Sequence, residues 1–159
     1  AGLEVSDLSA KMGLERVIWK ARFELLSKTP IVIYDGGHNP QGVAAAADNI
    51  VRFFGKGNAV VVTGMMADKD RGEMLARYGD FARLVHTVTP HNPRALGSDS
   101  LAEEIVSCGI PATAHGTIED GVCAAMADGE RLSLPVVALG SLYMYADVAD
   151  AVRKYLEAR

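Results

Sequence analysis

The sequence predicts an α/β protein with a mostly parallel sheet that carries helices on both faces. Short apolar segments and longer amphipathic segments alternate five times along the 159 residues. The apolar segments show little alternation between polar and apolar residues, which is typical of strands that are buried on both faces. Hydrophobic residues make up 49% of the chain and charged residues 23%, as in a single globular domain.

The apolar segments are the predicted strands, at residues 31–34, 59–62, 83–88, 112–115 and 135–139. In a parallel sheet with right-handed crossovers, the carboxyl ends of the strands lie at one edge, where ligands bind. We therefore expect the polar residues that follow the strands to lie along that edge: Asp35, His38, Thr63, Thr89, His115 and Ser141.

Helices are predicted between these strands. An apolar stripe at helical spacing indicates the first helix, which should cover residues 41–54. Capping patterns predict where three more begin: Asp70-x-x-Glu73, Ser100-x-x-Glu103 and Thr117-x-x-Asp120. The last helix is predicted over residues 143–157.

The residues before the first strand are less regular. We predict a linker or disordered start over residues 1–14 and one folded domain over residues 15–159. Within that domain, residues 16–19 and 22–26 form either two short strands or an extended arm. The chain begins with Ala1 rather than methionine, as expected of a piece of a longer protein.

Composition argues against several classes of function. The net charge of −4 provides no basic surface for nucleic acid or a membrane, so neither partner is expected. Cys108 and Cys123 are too few and too isolated for a disulfide framework or a zinc site, which favours a reducing, cytoplasmic location. No apolar run approaches the roughly 20 residues of a membrane-spanning helix, and the first residues do not resemble a signal peptide.

The strand from Ile31 ends in Asp35-Gly-Gly-His38-Asn39-Pro40, and each polar residue there has two interpretations. Asp35 could bind the hydroxyls of a ribose or a cation, or it could only cap the turn. His38 could donate to a phosphate or carboxylate or act in acid/base chemistry, or it could bond to the local backbone. Ser141 could bind an anion together with the helix N–H groups, or serve as a helix N-cap, or both.

The sequence contains no motif for a phosphate-binding loop, a serine nucleophile or a metal site. No G-x-x-x-x-G-K-[ST] loop and no G-x-S-x-G frame occurs in the sequence. His86, His91 and His115 show no metal-ligand spacing and are interpreted as structural, and no metal site is predicted in this chain. On composition alone, three other residues are as well explained as surface or core groups: Arg22, Arg94 and Tyr143.

Four segments, in this order, resemble one family: Trp19-Lys-Ala-Arg22-Phe23-Glu24, Asp35-Gly-Gly-His38-Asn39-Pro40, Met66-Ala-Asp68-Lys69-Asp70 and Gly140-Ser141-Leu142-Tyr143. They are similar to the C-terminal domain of folylpolyglutamate synthases and dihydrofolate synthases, in the Mur ligase superfamily. The resemblance covers the chain from about residue 15 to its end. Two departures are small. Lys20-Ala21 stands where the family more often has Pro-Gly, and Gly37 stands where it usually has Ala.

The resemblance implies a Rossmann-like domain of an ATP-dependent ligase. In that family the folate carboxylate is phosphorylated to an acyl phosphate, which the amine of glutamate attacks. The P-loop and the Mg²⁺ ligands belong to an N-terminal ATPase domain that is missing here. The partners implied are therefore ATP, glutamate and a folate, bound where the two domains of one monomer meet. This chain alone is predicted to be inactive.

Roles follow for individual residues where they match the family's motifs. The resemblance implies that Arg22, Asp35 and His38 contact the nucleotide, with Asp35 on the ribose and His38 also catalytic, near the phosphates and the incoming amino acid. Ser141 and Tyr143 would bind glutamate. Lys69 and Asn39 match motif positions without an assigned role.

Two alternative functions stay open. The same domain could belong to another Mur-type ligase that adds an amino acid to a peptidoglycan precursor. It could also be a stand-alone nucleotide-binding or regulatory module without catalysis. A P-loop domain encoded upstream in the same frame would favour a ligase.

Overall fold

The computed structural model describes residues 5–17, 19–68 and 71–159, and its strands form one sheet. The six strands of that sheet are β1 (Glu24–Lys28), β2 (Ile31–Asp35), β3 (Ala59–Thr63), β4 (Ala82–Thr87), β5 (Ala112–Ala114) and β6 (Val136–Leu139). The helices are α1 (Asp7–Glu15), α2 (Pro40–Phe54), α3 (Arg71–Phe81), α4 (Ser98–Ser107), α5 (Ile118–Leu132) and α6 (Tyr145–Glu157), and a 3₁₀ turn (Leu142–Met144) precedes α6. None of the described helices is long and apolar enough to cross a bilayer.

The strand order is β1-β2-β6-β3-β4-β5, and every neighbouring pair except β1 and β2 is parallel. This mixed, mostly parallel sheet confirms the predicted fold class. The order places β2, β6 and β3 side by side, so the chain leaves the sheet at three adjacent points after Asp35, Leu139 and Thr63. The candidate site lies at these three points.

Both faces of the sheet are buried, as the unalternating apolar strands predicted. Val61 and Val137 face a core that is built with α2, α3 and α4. Val60 and Val136, one residue along each strand, face a second core built with α5 and α6. Because successive side chains of a strand point to opposite faces, both sets must be apolar, which removes any polar alternation.

The prediction before the first parallel strand was wrong in its details. Instead of two strands or an arm over residues 16–26, a single strand, β1, begins at Glu24 and pairs antiparallel with β2. The strand cannot begin earlier because Ala21 and Phe23 have left-handed φ values of 58° and 46°, which a β-strand does not accommodate. Residues 7–14, which fall in the segment predicted as a linker or disordered start, belong to α1, and Leu8 and Met12 of this helix are exposed.

The predicted helices are present, and two of their starts need correction. Thr117 caps α5 as predicted, its hydroxyl accepting from the amide of Asp120. Helix α4 begins earlier than the predicted Ser100 cap, after Gly97, which makes no side-chain cap hydrogen bond. Helix α6 begins after the 3₁₀ turn rather than at residue 143. The predicted cap at Asp70 lies outside the described residues.

Candidate active site

Two cavities lie side by side at the carboxyl ends of β2 and β6. The first, which we call the Arg22 cavity, has a volume of about 200 Å³ and is lined by Arg22, Asp35, Gly36, Gly37, His38, Asn39, Gly42, Ala45, Ala46 and Asn49. The second, the Arg94 cavity, has a volume of about 220 Å³ and is lined by His38, Met66, Arg94, Gly140, Ser141, Leu142 and Tyr143. His38 lines both cavities, so its side chain can contact a ligand bound in either one.

Asp35 holds two backbone segments together at the end of β2. Its Oδ1 accepts a hydrogen bond from the amide of Gly37 at 2.7 Å, and its Oδ2 accepts from the amide of Phe23 at 2.8 Å. The first bond is the turn cap considered from the sequence. The second joins residues 12 positions apart and brings the turn before β1 against the loop after β2. Each carboxylate oxygen retains a further lone pair for a ligand.

His38 is oriented by the same loop. Its Nδ1 lies 2.8 Å from the carbonyl oxygen of Gly36. A carbonyl can only accept, so Nδ1 carries the proton and Nε2 carries the lone pair of the neutral ring. Local backbone bonding and a functional role are therefore compatible, because the backbone contact selects the tautomer that leaves Nε2 able to accept a proton.

Arg22 lies at the rim of its cavity and is exposed. Its Nη1 donates to the carbonyl of Ala21 at 3.2 Å, and its guanidinium carbon lies 5.8 Å from the centre of the Trp19 ring. Both contacts direct the cation along the loop rather than into the sheet. The exposed guanidinium keeps donors available for an anion.

Ser141 is both the cap and a wall of the Arg94 cavity. Its side-chain oxygen accepts from the amide of Tyr143 at 3.1 Å and begins the 3₁₀ turn. Its carbonyl accepts from the buried hydroxyl of Tyr34 at 2.5 Å, which fixes the loop from beneath. Tyr143 is 54% exposed and lies at the cavity mouth.

Arg94 supplies the positive charge of the second cavity. In the sequence it is a loop residue after Asn92-Pro93, as well explained by a surface position as by a binding role. An isolated bridge between Met66 and Ala95 brings its loop against the loop after β3. Its Nη1 lies 3.1 Å from Oδ2 of Asp68 in an exposed ion pair, which contributes little and can be exchanged for a ligand carboxylate.

Several residues expected at the edge are not part of the site. Thr63 is fully buried, donates to the carbonyl of Leu139 at 2.8 Å and lies 2.9 Å from the hydroxyl of Tyr78. His115 bonds to His86 at 2.9 Å on the far side of β4. Asn39, by contrast, lines the Arg22 cavity and is also the N-cap of α2. Lys69 lies outside the described residues.

A larger open cavity of about 700 Å³ lies at the opposite end of the sheet, near Arg83, Cys108 and Arg131. We do not place the site there, because the C-termini of helices point towards that end and disfavour an anionic ligand. Within the described residues, no group of three or more His, Cys, Asp or Glu side chains could hold a metal ion.

A family model described as "Mur ligase, glutamate ligase domain" matches residues 21–158, nearly the whole chain and both cavities. The chain belongs to this family. The assignment confirms the resemblance noted in the sequence.

Relatives of this Mur ligase domain are folate enzymes. It is 32% identical over 149 residues to a folylpolyglutamate synthase of Lacticaseibacillus casei, covering 92% of this chain and 32% of that protein. A Mycobacterium tuberculosis folylpolyglutamate synthase, solved in complexes with ADP and AMPPCP, superposes with a TM-score of 0.82 at 24% identity, over 98% of this chain and 36% of that one.

A third similar structure is a bifunctional folylpolyglutamate synthase/dihydrofolate synthase with Mn, AMPPNP and L-glutamate bound. Its TM-score is 0.76 at 25% identity, over 95% of this chain and 36% of that one. The Mur ligase domain described here therefore spans about one third of the length of the proteins that it matches.

Proposed function

We propose that this domain is the glutamate-binding part of an ATP-dependent ligase that adds glutamate to a folate. The observation that carries the proposal is that His38 lines both the Arg22 cavity and the Arg94 cavity. Amide formation through an acyl phosphate needs a nucleotide site and an amino-acid site in contact. Relatives named as folylpolyglutamate synthases support the choice of a folate and glutamate.

In this proposal the Arg22 cavity takes the nucleotide. Arg22 donates to phosphate oxygens, and Asp35 accepts from the ribose hydroxyls with the lone pairs that its backbone bonds leave unused. Solved relatives with ADP and AMPPCP support a nucleotide as the ligand class. The described residues contain no cluster that fits Mg²⁺, so its ligands would lie in another part of the protein, and no step is assigned to it here.

The Arg94 cavity takes the glutamate. Arg94 leaves its ion pair with Asp68 and pairs instead with a carboxylate of the amino acid. Ser141 and Tyr143, at the opposite wall of the cavity, bind the polar groups of the amino acid. His38 is the catalytic residue of the proposal: its Nε2 accepts a proton from the attacking amine. The amine nitrogen then forms a C–N bond to the acyl carbon, the C–O bond to the phosphoryl group breaks, and inorganic phosphate leaves with the second proton of the amine. A relative solved with L-glutamate bound supports the ligand.

The complete reaction would need a water-poor cleft between this domain and a second, ATP-binding domain of the same protein. In this proposal the complete ligase acts as a monomer in the cytoplasm. A different Mur-type ligase remains the second candidate, since the family assignment alone does not select the amino acid. A module without catalysis is the third.

Calorimetric titration of the chain with L-glutamate, with a panel of other amino acids and with ADP tests the proposal. We expect L-glutamate to bind in preference to the other amino acids. Ser141→Ala and Arg94→Ala should each weaken glutamate binding about tenfold, the loss of one charge-assisted or polar contact. Ser100→Ala, an exposed serine on α4, is the matched control and should bind as the unmodified chain does. Preference for another amino acid would favour the second candidate.

A further inference from the structure

The three residues Ala21, Arg22 and Phe23, which we call the Arg22 turn, have an unfavourable backbone conformation. Ala21 and Phe23 lie in the left-handed region, at φ values of 58° and 46°. Residues with a Cβ atom rarely adopt this region, and they remain in it only where surrounding contacts enforce it. Arg22 lies between them, so the direction of its side chain depends on whatever holds this turn.

Hydrogen bonds hold the backbone of the turn from two sides, in addition to a longer one, 3.3 Å, from the amide of Arg22 to the carbonyl of Trp19. The carbonyl of Ala21 accepts from the amide of Gly36 at 2.8 Å, and Asp35 accepts from the amide of Phe23. On the other side, Oε2 of Glu24 accepts from the amide of Ala21 at 2.6 Å. Carboxylate acceptors make stronger hydrogen bonds than neutral groups, so Glu24 and Asp35 are the main restraints.

Glu24 is itself held by residues that line neither cavity. Its Oε1 accepts from the hydroxyl of Tyr145 at 3.1 Å. The Tyr145 ring lies edge-on to Tyr34, with the ring centres 5.2 Å apart. Tyr34 in turn donates to the carbonyl of Ser141. This chain of contacts connects the Arg22 turn with the loop that forms the wall of the Arg94 cavity.

The guanidinium of Arg22 ends directly against the loop after β2. A Cβ atom placed on Gly36 would lie 2.9 Å from Nη1 of Arg22, which places the guanidinium beside this loop. A turn that relaxed to ordinary φ values would move the guanidinium away from Gly36 and the rim of the cavity. The position of the cation therefore depends on the restraints at Ala21 and Phe23.

We propose that Glu24 is a positioning residue, which holds the Arg22 turn in its left-handed conformation and so places the Arg22 guanidinium at the nucleotide cavity. The proposal rests on the proposed nucleotide role of Arg22. Glu24 does not line the cavity, so its effect on a ligand there is indirect, through the turn that carries Arg22.

The first test needs no nucleotide. Amide hydrogen exchange is compared between the unmodified chain, Glu24→Ala and the control Glu103→Ala, an exposed glutamate on α4. We expect Glu24→Ala to speed exchange at Ala21, Phe23 and Gly36 together, because the whole turn is released. Faster exchange at Ala21 alone would overturn the proposal. If Glu24→Ala does not fold, Tyr145→Phe removes one restraint on Glu24 and should produce the same pattern more weakly.

The fluorescence of Trp19 provides a second measurement of the position of Arg22, since Trp19 is the only tryptophan in the sequence and lies beside the guanidinium. Arg22→Ala should change its fluorescence emission. If Glu24 positions Arg22, Glu24→Ala should change the emission in the same direction, and Glu103→Ala should not. Emission unchanged in Glu24→Ala would contradict the proposal.

The nucleotide test is a double-mutant cycle in the same chain. We expect Glu24→Ala to weaken ADP binding about fivefold, and to cause no further loss when Arg22 is already alanine. Ala21→Gly should restore part of the affinity of Glu24→Ala, because glycine adopts the left-handed region without restraint. Independent, additive losses would overturn the proposal. If the unmodified chain binds no ADP, the nucleotide role of Arg22 fails, while exchange and emission still decide whether Glu24 holds the turn.

Discussion

Gly36 and Leu142 approach each other so closely that a Cβ atom on Gly36 would lie 2.1 Å from Cδ2 of Leu142. Gly36 belongs to the loop after β2, and Leu142 begins the 3₁₀ turn after β6. This contact joins the walls of the two cavities. Neither the sequence motifs nor the hydrogen bonds indicate it.

Gly36→Ala is therefore expected to destabilise the protein and disturb both cavities. The added methyl group would have to displace the side chains of Leu142 and Arg22, which are exposed enough to move. We therefore expect a cost of about 1 kcal/mol in the free energy of unfolding, the low end of the range for overpacking. Chemical denaturation measures this cost. Gly116→Ala is the control, since a Cβ atom there meets no atom within 4 Å. Leu142→Ala should recover part of the loss in the double variant, and no recovery would show that Leu142 is not the obstacle.

The stability of the fold is expected to fall as the pH is lowered below 7. Burial, with His115 as the second cause, holds the pKa of His86 below its ordinary value of 6.5, although Asp128 acts in the opposite direction. His86 Nε2 lies 3.2 Å from Oδ2 of Asp128, in a poorly aligned contact. Below pH 6.5 the unfolded chain binds a proton at His86 that the folded chain does not, so stability decreases until the pH reaches the folded pKa.

Unfolding curves at about pH 7.5 and about pH 5.5 measure this difference. His86→Gln should reduce the dependence on pH, whatever it does to the stability itself. Asp128 does not interfere, since its pKa lies below the ordinary 3.8 and its contribution is lost only in stronger acid. An unaltered slope in His86→Gln would contradict the assignment.

The buried pair of Thr63 and Tyr78 should show strong coupling. Thr63 donates to the carbonyl of Leu139, so Tyr78 is the donor in their 2.9 Å contact. Tyr78→Phe removes one hydrogen bond and should cost about 1 kcal/mol, whereas Thr63→Val leaves a buried hydroxyl without an acceptor and should cost about 2 kcal/mol. The double variant should be less destabilised than the sum of the two. Additive losses in denaturant titrations would refute this coupling.

The chain alone is expected to show no ligase activity and no ATP turnover. Phosphoryl transfer needs a phosphate-binding loop and a bound divalent cation, and the sequence has no P-loop. Phosphate release in the presence of ATP, glutamate and folate measures this directly. Turnover comparable to that of a complete ligase would contradict both this expectation and the division of the site proposed above.

Much of the fold could be predicted because its signals are local. Strands β2, β3 and β6 were predicted to within a residue or two, since each is a short apolar run that ends in a turn. Helices α2 and α5 followed from an apolar stripe and a capping residue. β1 was placed wrongly because its start depends on the left-handed turn before it, which Asp35 enforces from 12 residues away.

The candidate site divides in the same way. The motifs pointed to five residues, and all of them line one or both of the two cavities: Arg22, Asp35, His38, Ser141 and Tyr143. Thr63 and His115 were expected beside them. The sequence could not show that their side chains turn inward, because a position at the end of a strand does not fix which neighbour the side chain bonds.

The sequence by itself determined the fold class, the family and the residue types at the site, because periodicity and motif spacing are properties of short segments. Only the tertiary structure decided the order of the strands and the partners of each polar group. Hydrogen bonds between distant segments, such as Phe23 to Asp35 and Tyr34 to Ser141, have no local signal. They exist because the packed sheet brings the ends of β2 and β6 side by side, and that packing defines the site.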